Sequence, residues 1–168
     1  MKKAVAALCI TLAMAALAMG ATYNGTVTIS TPTDELGVAT YIGSGAAGSG
    51  TVVTVASGGS LYNLNTGSTG IQIATNLTAG TSATLVVDGG TVGEASKANT
   101  LAIGYGGGNT GILEIRNGGV VYANTTYVGR IASSTGAIYL YDGTLNQNTS
   151  TGNAQFGYGV NSTGTFVQ

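Results

Sequence analysis

The sequence predicts an all-β protein folded as a parallel β-helix, a solenoid of about four to five coils with three short strands per coil. Two recurring landmarks predict this fold. Glycine-punctuated blocks recur every 25 to 31 positions, with turn residues Ser57, Asp88, Asn117 and Asp142. An apolar residue followed by a small one recurs in step with them, at Ile42, Ile73, Ile103, Val128 and Phe156. Periods of this length are typical of stacked repeat units.

The first 21 residues form a predicted signal peptide. Met1–Lys3 is basic, residues 4–18 are small or apolar except for Thr11, and small residues around Ala18 suit cleavage. The stretch is short for a membrane span, although an N-terminal anchor is the alternative. We therefore expect export, to the cell surface, the outer membrane or the extracellular space. Cys9 lies in the removed segment, so the mature chain has no thiol for a disulfide or a metal site.

Two further regions follow the signal peptide. Residues 22–37 read as a strand and a cap, because Val27 and Ile29 alternate with hydroxyl residues before the charged, proline-bearing segment Pro32–Glu35. Residues 38–168 carry the repeats. The sequence stops at Gln168 inside a repeat block, which predicts a fragment of a longer repeat protein. It also predicts an open C-terminal edge, through which the chain can associate with itself.

Counting back from each turn residue predicts which side chains face the core. Positions two and four before the turn are mostly aliphatic, and alternation along a strand places them on one face. The predicted inward residues are Val53, Val55, Thr84, Val86, Leu113, Ile115, Ile138 and Leu140. The predicted outward residues are Thr54, Ala56, Leu85, Val87, Glu114, Arg116, Tyr139 and Tyr141. Short apolar segments elsewhere in each period supply the other two strands.

Composition excludes several function classes. Without Lys2 and Lys3, three basic side chains remain against six acidic ones, so there is no basic patch for nucleic acid. The chain has no histidine, which excludes Ser-His-Asp and Cys-His catalysis and the usual zinc sites. Gly43–Gly48 matches the dinucleotide fingerprint but leads into another strand instead of a helix. No cofactor and no metal are predicted.

Carboxylate chemistry is the remaining route to catalysis. Glycoside cleavage needs two acidic groups close together on one face. Asp88 and Asp142 share the turn column, but they lie two coils apart with neutral Asn117 between them. Turn formation explains an aspartate at both positions, because Asp suits turn conformations and hydrogen-bonds the turn backbone. We therefore predict no catalytic residue and a non-enzymatic protein.

Tyrosines are the outward-facing groups with binding potential. Aromatic rings on a strand surface can stack on a sugar or enter a protein interface, and the alternative is packing between neighbouring coils. The candidate ligand or partner face consists of Tyr41, Tyr127, Tyr139 and Tyr141. Tyr105 and Tyr158 share a further position, two residues after the apolar landmark.

Two segments carry a family resemblance. Leu101–Ala123 (LAIGYGGGNTGILEIRNGGVVYA) and Tyr127–Leu145 (YVGRIASSTGAIYLYDGTL) resemble β-strand repeats in the passenger regions of bacterial autotransporters and related surface adhesins. The shared pattern is an Ile-Gly step, a Gly/Asn/Ser loop, Thr-Gly, alternating aliphatics and Gly-Gly. The resemblance covers about residues 38–168 and implies a right-handed parallel β-helix. It says little about activity, because such passengers include adhesins, proteases, lipases and inert stalks.

These observations lead to one main functional hypothesis and two alternatives. The main hypothesis is an exported, non-enzymatic surface stalk or adhesin whose partner is a glycan or a host or cell-surface protein. The first alternative is a secreted protein that binds or cleaves polysaccharide through the tyrosine face and nearby carboxylates. The second is a solenoid that assembles edge to edge with further copies of itself.

Overall fold

The computed structural model describes residues 21–35, 39–63, 70–96, 99–147 and 153–168. Within these ranges the chain consists of β-strands, loops and a single-turn 3-10 helix at Ala46–Gly48. Apart from Ala21, the predicted signal peptide lies outside the described residues. No helix in these ranges has the length and apolar character needed to cross a membrane.

The strands follow one another in coils of three. The first two coils contain β1 (Thr22–Tyr23), β2 (Thr26–Ile29), β3 (Pro32–Glu35), β4 (Thr40–Ser44), β5 (Thr51–Ala56) and β6 (Ser60–Asn63). The third and fourth contain β7 (Ile71–Thr75), β8 (Ser82–Asp88), β9 (Thr91–Val92), β10 (Thr100–Ile103), β11 (Thr110–Arg116) and β12 (Gly119–Ala123). The fifth contains β13 (Thr125–Val128), β14 (Thr135–Leu140) and β15 (Gly143–Gln147), and β16 (Ala154–Phe156) and β17 (Thr163–Val167) begin a sixth.

Each strand pairs in parallel with its counterpart one coil later, and the pairs build three sheets. Sheet A contains β1, β4, β7, β10, β13 and β16 in that order. Sheet B contains β2, β5, β8, β11, β14 and β17, and sheet C contains β3, β6, β9, β12 and β15. The predicted parallel β-helix with three strands per coil is confirmed. Like positions therefore stack about 4.8 Å apart from one coil to the next.

The first coil is formed by the segment that the sequence presents as a strand and a cap. Its strands β2 and β3 pair with β5 and β6, and Ile29 is nearly buried at 6% exposed. Pro32 lies on β3, the first strand of sheet C. Proline is confined to edge strands because it has no backbone N–H to donate.

Aliphatic columns fill the interior. In sheet A, Ile42, Ile73, Ile103 and Val128 stack in register and are 0% exposed. In sheet B, the column Val53, Leu85, Leu113 and Ile138 is equally buried. Leu61, Val92 and Val121 extend the core along sheet C. The apolar interior is thus continuous from coil to coil, as a stack stabilised by neighbouring units requires.

The third coil departs from the sequence prediction. Val86 and Thr84 were predicted to face inward and Val87 and Leu85 outward, which is wrong for all four. Leu85 pairs with Val53, Val87 pairs with Val55, and the side chains of Leu85 and Val87 are 0% exposed. Val86 lies on the outer face, although only 5% of it is exposed, and Thr84 is half-buried.

A shorter turn causes this shift. Asp88 pairs with Arg116, and Thr91 pairs with Val120. Two residues therefore lie between Asp88 and Thr91 in the third coil, whereas three lie between Arg116 and Val120 in the fourth. Alignment on the turn residues places Asp88 opposite Asn117, one position out of register. Because side chains alternate along a strand, a slip of one residue exchanges the two faces. In the other coils the predicted inward and outward sets are confirmed.

Candidate functional site

The four tyrosines of the predicted face lie on two different sheets. Tyr41 and Tyr127 occupy one outer column of sheet A, separated by Gln72 and Ala102. Three coil spacings, about 14 Å, therefore separate the two tyrosines. Tyr139 and Tyr141 extend from the outer face at the end of β14 in sheet B. The structure thus divides the predicted face into separate surfaces.

Where sheet A turns into sheet B, the fourth, fifth and sixth coils each present one outward residue after a left-handed glycine, whereas Ala74 takes the glycine position in the third coil. Gly104 and Gly129 have φ of 71° and 72°, and Arg130 follows the second of them. A Cβ atom on Gly104 would meet the carbonyl oxygen of Thr135 in the next coil. Glycine is therefore required by both the conformation and the close approach of backbones.

Backbone hydrogen bonds fix the residues after these glycines in one column. The N–H of Tyr105 donates to the carbonyl of Ile73 at 3.4 Å. The N–H of Arg130 donates to the carbonyl of Gly104 at 3.2 Å, and that of Tyr158 donates to the previous coil at 3.0 Å. Consecutive coils thus place Tyr105, Arg130 and Tyr158 next to one another along the corner.

These three residues and Tyr127 form an aromatic cluster around a guanidinium, here called the corner cluster. The guanidinium carbon of Arg130 lies 4.1 Å from the ring centroid of Tyr127 and 5.1 Å from that of Tyr105. The rings of Tyr127 and Tyr158 are 6.2 Å apart and inclined at 55°. Both cation–ring distances fall within the range of an attractive cation–π interaction.

The charge of Arg130 is not neutralised by a neighbouring acid. Within the described ranges, no carboxylate lies at ion-pair distance from its guanidinium, and both ion pairs in those ranges involve Arg116. The Arg130 residue is half-buried, and Tyr158 beside it is 66% exposed. The corner cluster therefore combines aromatic faces with a cation that solvent can reach.

A second cluster lies on the outer face of sheet B, and we call it the sheet B cluster. Tyr139 and Tyr141 are stacked, with ring centroids 6.2 Å apart and planes inclined at 8°. In the coil before them, the guanidinium of Arg116 lies 3.1 Å from a carboxylate oxygen of Asp88 and 3.7 Å from one of Glu114. The cation in this cluster is therefore already paired.

Asp88 belongs to this hydrogen-bonded network. Its Oδ1 accepts a 2.6 Å hydrogen bond from the side-chain amide of Asn117, and its Oδ2 accepts hydrogen bonds from Arg116 at 3.1 and 3.2 Å. The hydrogen bond from Asn117, helped by Arg116 and opposed by partial burial, lowers the pKa of Asp88. The carboxylate is thus held ionised in a structural contact between two coils.

The other predicted carboxylate, Asp142, lies at the corresponding corner of the fifth coil. Its backbone carbonyl accepts a 2.6 Å hydrogen bond from the N–H of Gly118. Both predicted aspartates therefore contribute to contacts between coils. Across the part of the chain that the structure describes, no three His, Cys, Asp or Glu residues are grouped so that they could hold a metal ion.

Arg130 is the residue of the corner cluster that sequence reasoning missed. The sequence pairs Tyr105 with Tyr158 because each stands two residues after an apolar landmark. Arg130 occupies the same position after Val128, in the coil between them. Reading that column for every residue type, instead of for tyrosine alone, would have found the cation between the two rings.

The last described strands expose residues of the inner columns. Phe156 continues the column of Val128, and Phe166 continues that of Ile138. Both phenylalanines are 44% exposed, and their rings meet edge to face at 6.5 Å. Apolar side chains that are buried in the earlier coils therefore reach solvent beside β16 and β17.

Searches against protein-family models, curated proteins and solved structures gave no match to this chain. The structural findings support a parallel β-solenoid built from repeated three-strand coils. Its outer surface carries two tyrosine clusters, which differ in whether their arginine is already paired with a carboxylate.

Proposed function

We propose that this chain is an exported, non-enzymatic β-solenoid segment that acts as a cell-surface stalk or adhesin, similar to autotransporter passengers. The observation that carries the proposal is the uninterrupted apolar core. Its sheet B column, Val53, Leu85, Leu113 and Ile138, is 0% exposed in four consecutive coils. A stack of this kind holds its shape through contacts between neighbouring coils and lengthens by adding more of them.

The dimensions and the surface suit this role. The six strands of sheet A span five spacings, or about 24 Å along the axis. Outward-facing positions such as Thr54, Glu114 and Tyr139 are half-buried, so the sides of the stack mix polar and aromatic groups. A solenoid with such sides can both hold two surfaces apart, as a stalk does, and present contact residues along its length, as an adhesin does.

The environment of Asp88 supports the non-enzymatic part of the proposal. Both of its carboxylate oxygens accept hydrogen bonds from the next coil. A general acid must keep a proton near neutral pH, which requires a raised pKa. The pKa of Asp88 is lowered instead, so this carboxylate does not suit the role of general acid. A structural role accounts for every contact that this carboxylate makes.

Export is tested by fractionating bacteria that produce the chain with a C-terminal epitope tag. We expect the tagged protein outside the cytoplasm, with an N-terminus created by cleavage near Ala18 or Ala21. Leu8→Arg, which interrupts the apolar run, should keep the protein in the cytoplasm with its N-terminus intact. A native chain found only in the cytoplasm would refute the proposal.

The absence of catalysis is tested by incubating the purified mature chain with a panel of polysaccharides. We expect no new reducing ends and no unsaturated products. Turnover that Asp88→Asn or Asp142→Asn abolishes would establish the polysaccharide-cleaving alternative. Thermal unfolding of both variants provides the control, because Asp88→Asn also removes an ion pair between coils.

Self-association is a second candidate function, favoured by the exposed Phe156 and Phe166. An edge strand with unpaired backbone groups, next to exposed apolar side chains, is a template for another chain. Sedimentation velocity should then show oligomers that increase with concentration and decrease in Phe166→Ser. Tyr141→Ser removes an exposed aromatic ring elsewhere and should leave the oligomers unchanged. A monomer at every concentration would end this candidate.

A further inference from the structure

We propose that the corner cluster is a binding site for an acidic oligosaccharide, with a sugar carboxylate on the guanidinium of Arg130 and a sugar ring against Tyr158. The inference deepens the adhesin part of the proposed function by naming the chemical class of its ligand. It concerns only the purified chain and does not depend on where the protein is located.

The state of Arg130 is the first step. Its guanidinium rests against the ring of Tyr127 at 4.1 Å and near that of Tyr105 at 5.1 Å. The five N–H donors of a guanidinium lie in its own plane, so contact with ring faces leaves the donor edge available. A carboxylate can accept two parallel hydrogen bonds from that edge. Aromatic contact therefore orients the cation without using its donors.

The comparison with the sheet B cluster is the second step. There the guanidinium of Arg116 already contacts Asp88 at 3.1 Å and Glu114 at 3.7 Å, so its charge is shared between two carboxylates of this chain. No carboxylate within the described ranges reaches Arg130. The two clusters both contain tyrosines, but only the corner cluster offers a cation with its charge unpaired, and this difference selects it for an anionic ligand.

The exposed ring of Tyr158 indicates a sugar as the carrier of that anion. Tyr158 is 66% exposed and lies one coil beyond Arg130, with its ring 6.2 Å from that of Tyr127. A tyrosine offers an apolar face and a hydroxyl, which match the C–H face and the hydroxyl groups of a sugar. A carboxylate on Arg130 and a ring against Tyr158 are the two features of a uronic acid.

Preorganisation of the backbone is the last step. Arg130 and Tyr158 follow glycines in the left-handed region, with φ of 72° and 62°, and their N–H groups bond the preceding coil. The turn backbone beneath the site is therefore hydrogen-bonded to the stack, and little of it must be ordered on binding. Sites that are fixed beforehand lose less conformational entropy when a ligand binds.

The test is isothermal titration calorimetry of the purified mature chain with a glucuronic-acid tetrasaccharide, a neutral glucose tetrasaccharide and an oligo-glutamate peptide. Five variants are compared with the native protein, four of them in matched pairs and the fifth Arg130→Lys. Arg130→Gln removes the cation, and Arg116→Gln removes the other surface arginine as its control. Tyr158→Ala removes a 66% exposed ring, and Tyr141→Ala removes a 65% exposed ring from the other cluster.

We expect the acidic tetrasaccharide to bind and the neutral one not to bind. Arg130→Gln and Tyr158→Ala should each weaken binding about tenfold or more, and the two control variants less than twofold. Arg130→Lys keeps the charge but loses the planar donor pair, so it should also weaken binding. Circular dichroism and thermal unfolding establish that each variant is folded.

Three results would overturn the inference. Binding that Arg130→Gln leaves unchanged in a folded protein would place the ligand elsewhere. Equal binding of the neutral tetrasaccharide would remove the role of the carboxylate, and equal binding of an oligo-glutamate peptide would remove that of the sugar. No binding at millimolar concentration would also reject the site. In that last case, the fractionation experiment would still decide separately whether the chain is an exported stalk.

Discussion

Leu85→Ala tests the register of the third coil more directly than any other single substitution. The side chain of Leu85 is 0% exposed and stacks between Val53 and Leu113 in the sheet B column. The substitution removes three carbon atoms, which at about 0.8 kcal/mol each amounts to about 2.4 kcal/mol of lost burial. The cavity left behind adds to this, so we expect a loss of about 2–5 kcal/mol.

Thr84→Ala is the matched control. Thr84 precedes Leu85 on the same strand, is half-buried and lies on the outer face. Its substitution should change the free energy of unfolding by less than about 0.5–1 kcal/mol, as is usual for surface positions. Alignment on the turn residues predicts the reverse order, because it places Thr84 inside and Leu85 outside.

The measurement is equilibrium unfolding in urea, followed by circular dichroism at 25 °C on a purified chain that begins at Thr22. The midpoint should fall in Leu85→Ala and remain near the native value in Thr84→Ala, with similar slopes for all three proteins. A Thr84→Ala variant that loses as much stability as Leu85→Ala would refute the register. So would a Leu85→Ala variant within 0.5 kcal/mol of the native protein.

Three further predictions concern other coils. Ile115→Asp places an unpaired charge in the core and should cost more than about 3 kcal/mol or prevent folding, as measured by urea unfolding. Gly104→Ala should lower the free energy of unfolding more than Gly118→Ala does, because it combines a left-handed backbone with a clash against the next coil. Gly118 has φ 75° and open space around it, so Gly118→Ala should cost only about 1–2 kcal/mol. Asn117→Gly keeps the left-handed backbone but removes a donor, so the pKa of Asp88 should rise in an NMR titration. The pKa of Asp88 is lower in the folded state than in the unfolded state. The stabilisation by its carboxylate is therefore present above about pH 4 and is lost as the pH falls through the folded pKa. The native protein and Asn117→Gly should accordingly differ in stability at neutral pH and converge in acid.

The fold could be predicted from the sequence because a parallel stack places like residues above like residues. Ile73 and Ile103 belong to one buried column, and their repetition at a fixed period is visible without coordinates. The register of the third coil could not be predicted in the same way. Its turn after Asp88 is one residue shorter than the turn after Arg116, and only the backbone pairing reveals the difference.

The members of the corner cluster were readable from the sequence, but their contact was not. A landmark column shared by Tyr105 and Tyr158 is visible in the sequence, and it passes through Arg130. The approach of the guanidinium to Tyr127 depends on two adjacent outer columns meeting at the turn from sheet A to sheet B. Sequence spacing gives the members of each column, but the path of the turn between the sheets decides which columns touch.

The arrangement of the solenoid also determines how function and stability can be separated in this protein. Energy in such a stack lies mostly between neighbouring coils, so the inner columns constrain the sequence while the outer columns vary. Arg130 and Tyr158 lie on outer positions of the fifth and sixth coils, whereas Leu85 lies in the core of the third. Arg130→Gln should therefore change ligand binding with little effect on unfolding, and Leu85→Ala should do the opposite. A variant that changes both in equal measure would mean that binding and folding are coupled along the whole stack.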